Sequence, residues 1–202
     1  NIRSTGIRAI TLDEGDELIS VRQTGGEQNV FIATHDGMSV CFDENDVRAM
    51  GRVAVGVRGI RLRDGDYVVG AGVSESGTAL LSITENGYGK RTPVEEYTVQ
   101  HRGGMGLKNY NITDKTGKVV DMKIVNEEDD LLVVSDDGTI IRMAVSDISV
   151  LGRSTQGVRV MKVNDGAKVI SIARTDKEDD TEEEEPDEAA PESDEVLDAP
   201  EE

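Results

Sequence analysis

A repeat of about 50 residues constrains this chain more than any single motif does. Gly6, Gly56, Gly106 and Gly157 recur at spacings of 50, 50 and 51. Each is followed by an apolar residue (Ile7, Val57, Leu107, Val158) and then a basic one (Arg8, Arg58, Lys108, Arg159). Alternation continues through Ile10 and Leu12, Ile60 and Leu62, Tyr110 and Ile112, Met161 and Val163, the period-two pattern of half-buried strands. A second set of markers keeps the same register. Asp36-Gly37, Asn86-Gly87 and Asp137-Gly138 lie between the β-prone runs "NVFIAT" and "MSVCF", "ALLSIT" and "YGKRT", "DLLVVS" and "TIIRM". Asx-Gly pairs favour tight hairpin turns, so three hairpins in equivalent places are expected, with type I′ geometry. Further turns at Gly15, Gly65, Gly117 and Gly166 lead into strands such as "YVVGAGV", "VVDMKIV" and "KVISIA".

Each repeat therefore holds roughly four strands, the content of one propeller-type blade. No sustained helical period interrupts them. The fold class expected is all-β: repeated four-stranded blades over residues 1–174, as a partial ring of about three units and the start of a fourth, within a larger blade array. The links "DENDVRAMGR", "PVEEYTVQHR" and "VSDISVLGR" join one unit to the next. A Trp-Asp dipeptide and a kelch-like double glycine in each unit are both missing, which argues against the two commonest eukaryotic propeller families.

Charge divides the chain differently. Residues 175–202 carry sixteen Asp and Glu against the single Lys177, whereas residues 1–174 hold 21 Lys and Arg against 25 Asp and Glu. So acidic and proline-bearing a tail cannot bury enough surface to offset its ordering entropy, and it is expected to be disordered. It either solubilises the chain or competes with polyanions for a basic surface on the body. Cys41 is the only cysteine and His35 and His101 are the only histidines, which excludes internal disulfides and thiolate or histidine metal clusters. No apolar run has membrane-spanning length and no signal peptide is visible; a cytoplasmic, bacterial setting is expected, and the Asn111-Ile112-Thr113 sequon is read as chance. Because the chain begins with Asn1, it is expected to be part of a longer protein.

A catalytic reading finds no support. There is no nucleophile elbow and no Walker sequence. Gly103-Gly104-Met105-Gly106 is a weak glycine match without the helix that a dinucleotide site needs. The basic residues are more informative. Arg52, Arg102 and Arg153 each precede the repeat glycine by four positions; Arg58, Lys108 and Arg159 follow it by two; Arg91 and Arg142 occupy matching places beyond the hairpin turn, with Lys90 beside the first of them. Equivalent positions in a ring of blades share a face or rim, so a discontinuous basic belt is expected. Such a belt suits duplex DNA, whose phosphates are regularly spaced, and neighbouring glycines let backbone approach phosphate closely. The competing reading is of solvated strand faces paired with nearby acids.

The strings "VRAMGR…GVRGIRL.DGD", "ENGYGKRTPVEEY" and "VSDISVLGRSTQGV" resemble the C-terminal domain of DNA gyrase A, over essentially all of residues 1–174. The resemblance implies a β-pinwheel, a disc like a propeller with different strand connections, of which this chain is roughly the last half. It also implies a module that binds duplex DNA and wraps it in a positive sense around a basic rim. The parent, an ATP-dependent type IIA topoisomerase, would turn that wrap into negative supercoils. Partners implied are double-stranded DNA, together with gyrase B and the N-terminal part of gyrase A in an A2B2 assembly, and no membrane. No cofactor is expected in this chain, ATP and Mg serving other regions of the complex. The cleavage tyrosine belongs to the N-terminal part, so no catalysis is expected here.

The family's seven-residue box, Gln-basic-Arg-Gly-Gly-basic-Gly, is matched by Gln100, Arg102, Gly103, Gly104 and Gly106. His101 and Met105 stand where the family has basic residues, which makes this a degenerate copy; the full box is expected upstream. DNA contacts expected are Arg8, Arg52, Arg58, Lys90, Arg91, Arg102, Lys108, Arg142, Arg153 and Arg159. Alternatives are the corresponding domain of topoisomerase IV, or a propeller used to bind another protein.

Overall fold

A computed structural model of the chain describes residues 6–177; the acidic stretch beyond Lys177 lies outside them. Among the described residues all regular structure is strand, apart from three-residue 3-10 turns at Glu44–Asp46, Ser74–Ser76, Val94–Glu96 and Val145–Asp147. Three of these turns lie in the links between units.

The three expected hairpins form. They are β1 (Asn29–Thr34) with β2 (Met38–Asp43), β4 (Ala79–Thr84) with β5 (Tyr88–Pro93), and β8 (Asp130–Ser135) with β9 (Ile140–Ala144). Their turns are not type I′. That geometry needs positive φ at two residues, yet among the described residues only glycines have positive φ. Instead the N–H of Gly37, Gly87 and Gly138 donates to the carbonyl of Thr34, Thr84 and Ser135 at 3.0, 2.9 and 3.1 Å, and each glycine sits at φ between 75° and 84°. This is a three-residue loop, an ordinary turn followed by a left-handed glycine.

The remaining strands are β3 (Val68–Val73), β6 (Leu107–Lys108), β7 (Val119–Val125), β10 (Val158–Arg159) and β11 (Val169–Thr175). They do not assemble one repeat at a time. The first sheet has the order β3-β1-β2-β6, the second β10-β5-β4-β7, and the third β11-β8-β9. Each hairpin is thus flanked on one side by a strand of the next repeat, and in the first two sheets on the other by a strand of the repeat after that. The expectation of four strands per repeat holds for the third unit (β6 to β9), but those strands serve different sheets. Sequence periodicity locates strands; it carries no information on which distant strand each one pairs with.

β3 packs against β7 and β7 against β11, so these strands form the inner side of the fan, and β6 and β10 its outer edge. Core clusters fill the spaces between sheets. Phe31, Ala33 and Cys41 of the first sheet meet Leu80, Met122 and Ile124 of the second. Leu81, Ile83 and Val125 of the second meet Leu131, Val133, Val169 and Ile172 around the third. β4 is buried at all six positions because it is covered on both faces. Each such Leu, Ile or Phe side chain contributes about 1.5–3 kcal/mol on burial.

Residues 17–23, equivalent to β3, form no strand, and Leu18, Ile19 and Val21 are exposed. β3 joins the hairpin that precedes it, and the described residues hold no hairpin ahead of residue 17.

Candidate nucleic-acid interface

The outer edge is built from the stretches that begin at the repeat glycines. Leu107–Lys108 pairs with Met38 and Ser39 of β2, and Val158–Arg159 pairs with Tyr88 and Gly89 of β5. Glycine is required at the head of each. Gly106 and Gly157 have φ of 72° and 73°, and a Cβ there would collide with the carbonyls of Ser39 and Gly89 respectively. Only two residues of each stretch form regular strand, fewer than the alternation suggested, although Ile60, Tyr110 and Met161 are buried as that pattern requires.

One backbone hydrogen bond repeats along this edge. Thr11 donates to Ala54, Arg61 to Gly104 and Asn111 to Thr155, at 3.4, 2.7 and 3.0 Å. Each outer stretch is thereby fastened to the residues just ahead of the next repeat glycine, and the edge is continuous. Arg8, Arg58 and Lys108 stand three residues before these donors, with Arg159 in the matching place on β10; all four are exposed. Lys108 Nζ donates to Asn111 Oδ1 at 2.8 Å, and Arg159 Nη2 to Tyr88 Oη at 3.0 Å. Arg52 is exposed as well.

The Gln100–Gly106 stretch is a brace on this edge. Gln100 N–H donates to the Cys41 carbonyl at 2.7 Å and Gly103 N–H to that of Gly59 at 2.5 Å. The Arg102 guanidinium is engaged with backbone, Nε donating to Asp46 O at 2.9 Å and Nη1 to Arg58 O at 3.1 Å. The His101 side chain is fully exposed, 3.6 Å from an Asp46 carboxylate oxygen, and Met105 is exposed. Arg153, the counterpart of Arg102, is half-buried and lies over the Tyr97 ring, 5.9 Å from its centroid.

Two expected contacts are corrected. Lys90 is 0 % exposed and Arg91 6 %, so neither faces a ligand on the rim. Lys90 Nζ donates to the carbonyls of Gly152 and Arg153 and to Thr155 Oγ1, at 2.7, 2.6 and 3.3 Å. Burial pulls its pKa down to about 8, because desolvation disfavours the ammonium. Arg91 Nε donates to Ile148 O at 2.7 Å and Nη2 to Ser146 O at 3.1 Å. Both side chains fasten the link over residues 146–155 to β5. Arg142 is also engaged, its Nε 2.8 Å from Asp130 Oδ2 and its Nη2 donating to Asp176 O at 3.0 Å.

The sequence reading missed cations near the hairpin tips. A depression of about 290 Å³ is lined by Asn86, Tyr88, Lys115, Arg159, Met161 and Lys162, with Val163. Its counterpart one unit earlier, about 390 Å³, is lined by Asp36, Met38, Arg63, Lys108, Tyr110 and Ile112. The available signal was that Lys115 precedes the Thr116-Gly117 turn and Lys162 follows Arg159 by three residues. Among the described residues no group of His, Cys, Asp and Glu could hold a metal ion, and no helix is long and apolar enough to cross a membrane.

Sheets stitched from successive repeats, fanned about an inner row of strands and carrying cations in register on the outer edge, define a propeller-like repeat domain. The chain belongs to the DNA gyrase C-terminal domain family: the family model, described as a beta-propeller, matches residues 1–24, 28–75, 79–126 and 129–176. DNA gyrase A of Staphylococcus epidermidis is 49% identical over 181 residues, covering 89% of this chain and 20% of the relative. That of Ureaplasma parvum is 43% identical over 173 residues, 86% of this chain and 21% of the relative. The chain thus spans about a fifth of the length of these relatives. A solved DNA gyrase A C-terminal domain superposes with a TM-score of 0.77 at 29% identity, covering 84% of this chain and 58% of that one. The C-terminal domain of a DNA topoisomerase IV gives 0.78 at 25%, covering 83% and 53%.

Proposed function

We propose that this chain is a DNA-binding module of a type IIA topoisomerase, DNA gyrase, which bends duplex DNA around its basic outer edge. The observation that carries this reading is the register of Arg8, Arg58, Lys108 and Arg159: four exposed cations at equivalent places on one continuous edge. Duplex DNA presents one phosphate charge per roughly 1.7 Å of helix axis, so a periodic row of cations fits it without reading bases. Bending a few tens of base pairs costs about 1–6 kcal/mol, which many weak phosphate contacts share. Little sequence preference follows from such an interface.

The parent assembly in this reading is an A2B2 complex with gyrase B and the N-terminal part of gyrase A, in the bacterial cytoplasm at the nucleoid. ATP, Mg and the cleavage tyrosine act outside this chain. Ligating a nicked plasmid saturated with the chain tests the wrap. A shift toward positive linking difference is expected; an unshifted topoisomer distribution despite DNA binding contradicts wrapping. The solved topoisomerase IV domain matches the fold equally well, while the sequence relatives above are gyrase A. ATP-dependent negative supercoiling by the parent complex separates the two: relaxation or decatenation alone would favour topoisomerase IV.

A further inference from the structure

The outer edge is not uniformly charged. At the tip of the β4–β5 hairpin, two cations lie over one aromatic ring and a third borders it. Lys115 Nζ is 5.2 Å and the Arg159 guanidinium carbon 5.6 Å from the centroid of Tyr88, and Arg159 Nη2 donates to the phenol oxygen at 3.0 Å. Lys162 lines the same depression. Among the described residues none of the three pairs with a carboxylate, and no acid lines the depression. Tyr88 is itself 6 % exposed, so its ring is a fixed platform, and cation–π attraction holds Lys115 and Arg159 over it. The phenol occupies one guanidinium nitrogen only, which leaves the other N–H donors for a second, charge-assisted acceptor. Three neighbouring cations without a counter-charge repel one another, and an anion between them relieves that repulsion.

The corresponding place one unit earlier is poorer. Met38 replaces the tyrosine, Asp36 lines the depression, and the Lys108 amine is already held by Asn111. One unit later Thr139 stands there, and among the described residues β9 has no outer strand paired with it. The Gln100–Gly106 stretch is no rival, because Arg102 donates to two carbonyls, His101 lies 3.6 Å from an Asp46 carboxylate oxygen, and Met105 is uncharged.

We propose that Lys115, Arg159 and Lys162, organised by Tyr88, form the principal phosphate site of this edge and take a backbone phosphate of duplex DNA, with Gln100–Gly106 acting as a structural brace. The proposal rests on the DNA-binding reading and deepens it.

The test uses the full chain and a labelled duplex of about 40 base pairs, with affinity followed from about 50 to 200 mM salt. Lys115→Gln/Lys162→Gln is compared with Arg63→Gln/Lys108→Gln in the counterpart depression. The first pair is expected to weaken binding about tenfold or more at low salt and to lower the log–log salt slope by about two, and the second pair by less. An unchanged slope in the first pair, or an equal or larger loss in the second, overturns the site. Acetylation mapping of the wild-type chain gives an independent readout. DNA is expected to protect Lys115 and Lys162 and to leave Lys177 reactive. Protection already complete without DNA would assign the site to carboxylates of the chain and overturn the proposal. If wild type binds DNA with both lysines unprotected, only the site falls; if it binds no DNA at all, the functional reading falls with it.

Discussion

The amine of Lys90 lies 2.6 Å from the carbonyl oxygen of Arg153, 63 residues further along the chain. A buried ammonium thus fixes the course of the link that leads into β10, and through it the placement of Arg159 on the outer edge. Lys90→Met removes the donor while keeping the bulk, and leaves two carbonyls and a hydroxyl without it. Gly152 O keeps the Thr155 hydroxyl as a second donor, and depriving a part-buried acceptor of its donor costs about 1–3 kcal/mol. Urea denaturation is expected to show a loss in that range; unchanged stability would contradict the clamp.

The same group sets a pH dependence. Its pKa is about 8 in the folded chain, below the 10.5 of a free lysine. Between those values the unfolded chain holds a proton that the folded chain has released, so the wild type gains stability as pH rises through this window. Lys90→Met lacks that gain. The stability difference between wild type and variant should therefore grow by about 2 kcal/mol from pH 8 to pH 10. A pH-independent difference would place the amine in contact with water.

Gly157 and Gly6 have φ of 73° and 68°, yet their surroundings differ. A Cβ on Gly157 meets the Gly89 carbonyl and the Tyr110 hydroxyl; a Cβ on Gly6 meets nothing within 4 Å. Gly6→Ala is expected to cost about 1 kcal/mol, the backbone penalty alone. Gly157→Ala adds the clash and is expected to cost about 2–4 kcal/mol or to release β10. Thermal unfolding of both variants measures the contrast, and equal losses would contradict close docking of the outer stretch.

Cys41 is 3 % exposed, and burial pushes its thiol up to about 11. The thiolate is the reactive form, so an aromatic disulfide reagent should label Cys41 only as fast as the first sheet opens. Labelling at the rate of a free thiol in the native chain would contradict its place between the first two sheets.

The hairpins were legible in the sequence because each is local: "NVFIAT", "ALLSIT" and "DLLVVS" coincide with β1, β4 and β8. So was the outer edge, since Gly106 and Gly157 mark it by the same close approach. The stitching was not legible, because β3 and β6 reach the first hairpin from two different later repeats, and their alternation is the same whichever sheet they join. Lys90 and Arg91 misled for a related reason. Sequence shows their charge, but only the link folded across β5 shows that carbonyls, and not phosphates, accept their hydrogen bonds. Tyr88 with Lys115 went unnoticed because the two come from different units and meet only at a hairpin tip.

The central claim is that the outer edge binds DNA through phosphate neutralisation. Its most direct measurement is the salt dependence of duplex affinity for the wild type and for Arg8→Gln/Arg58→Gln/Lys108→Gln/Arg159→Gln. Each phosphate contact contributes about 0.9 to the log–log slope. A steep wild-type slope, lowered by about 3–4 in the variant, is the expected result. Affinity that is flat in log salt, or a slope the four substitutions leave unchanged, would contradict it.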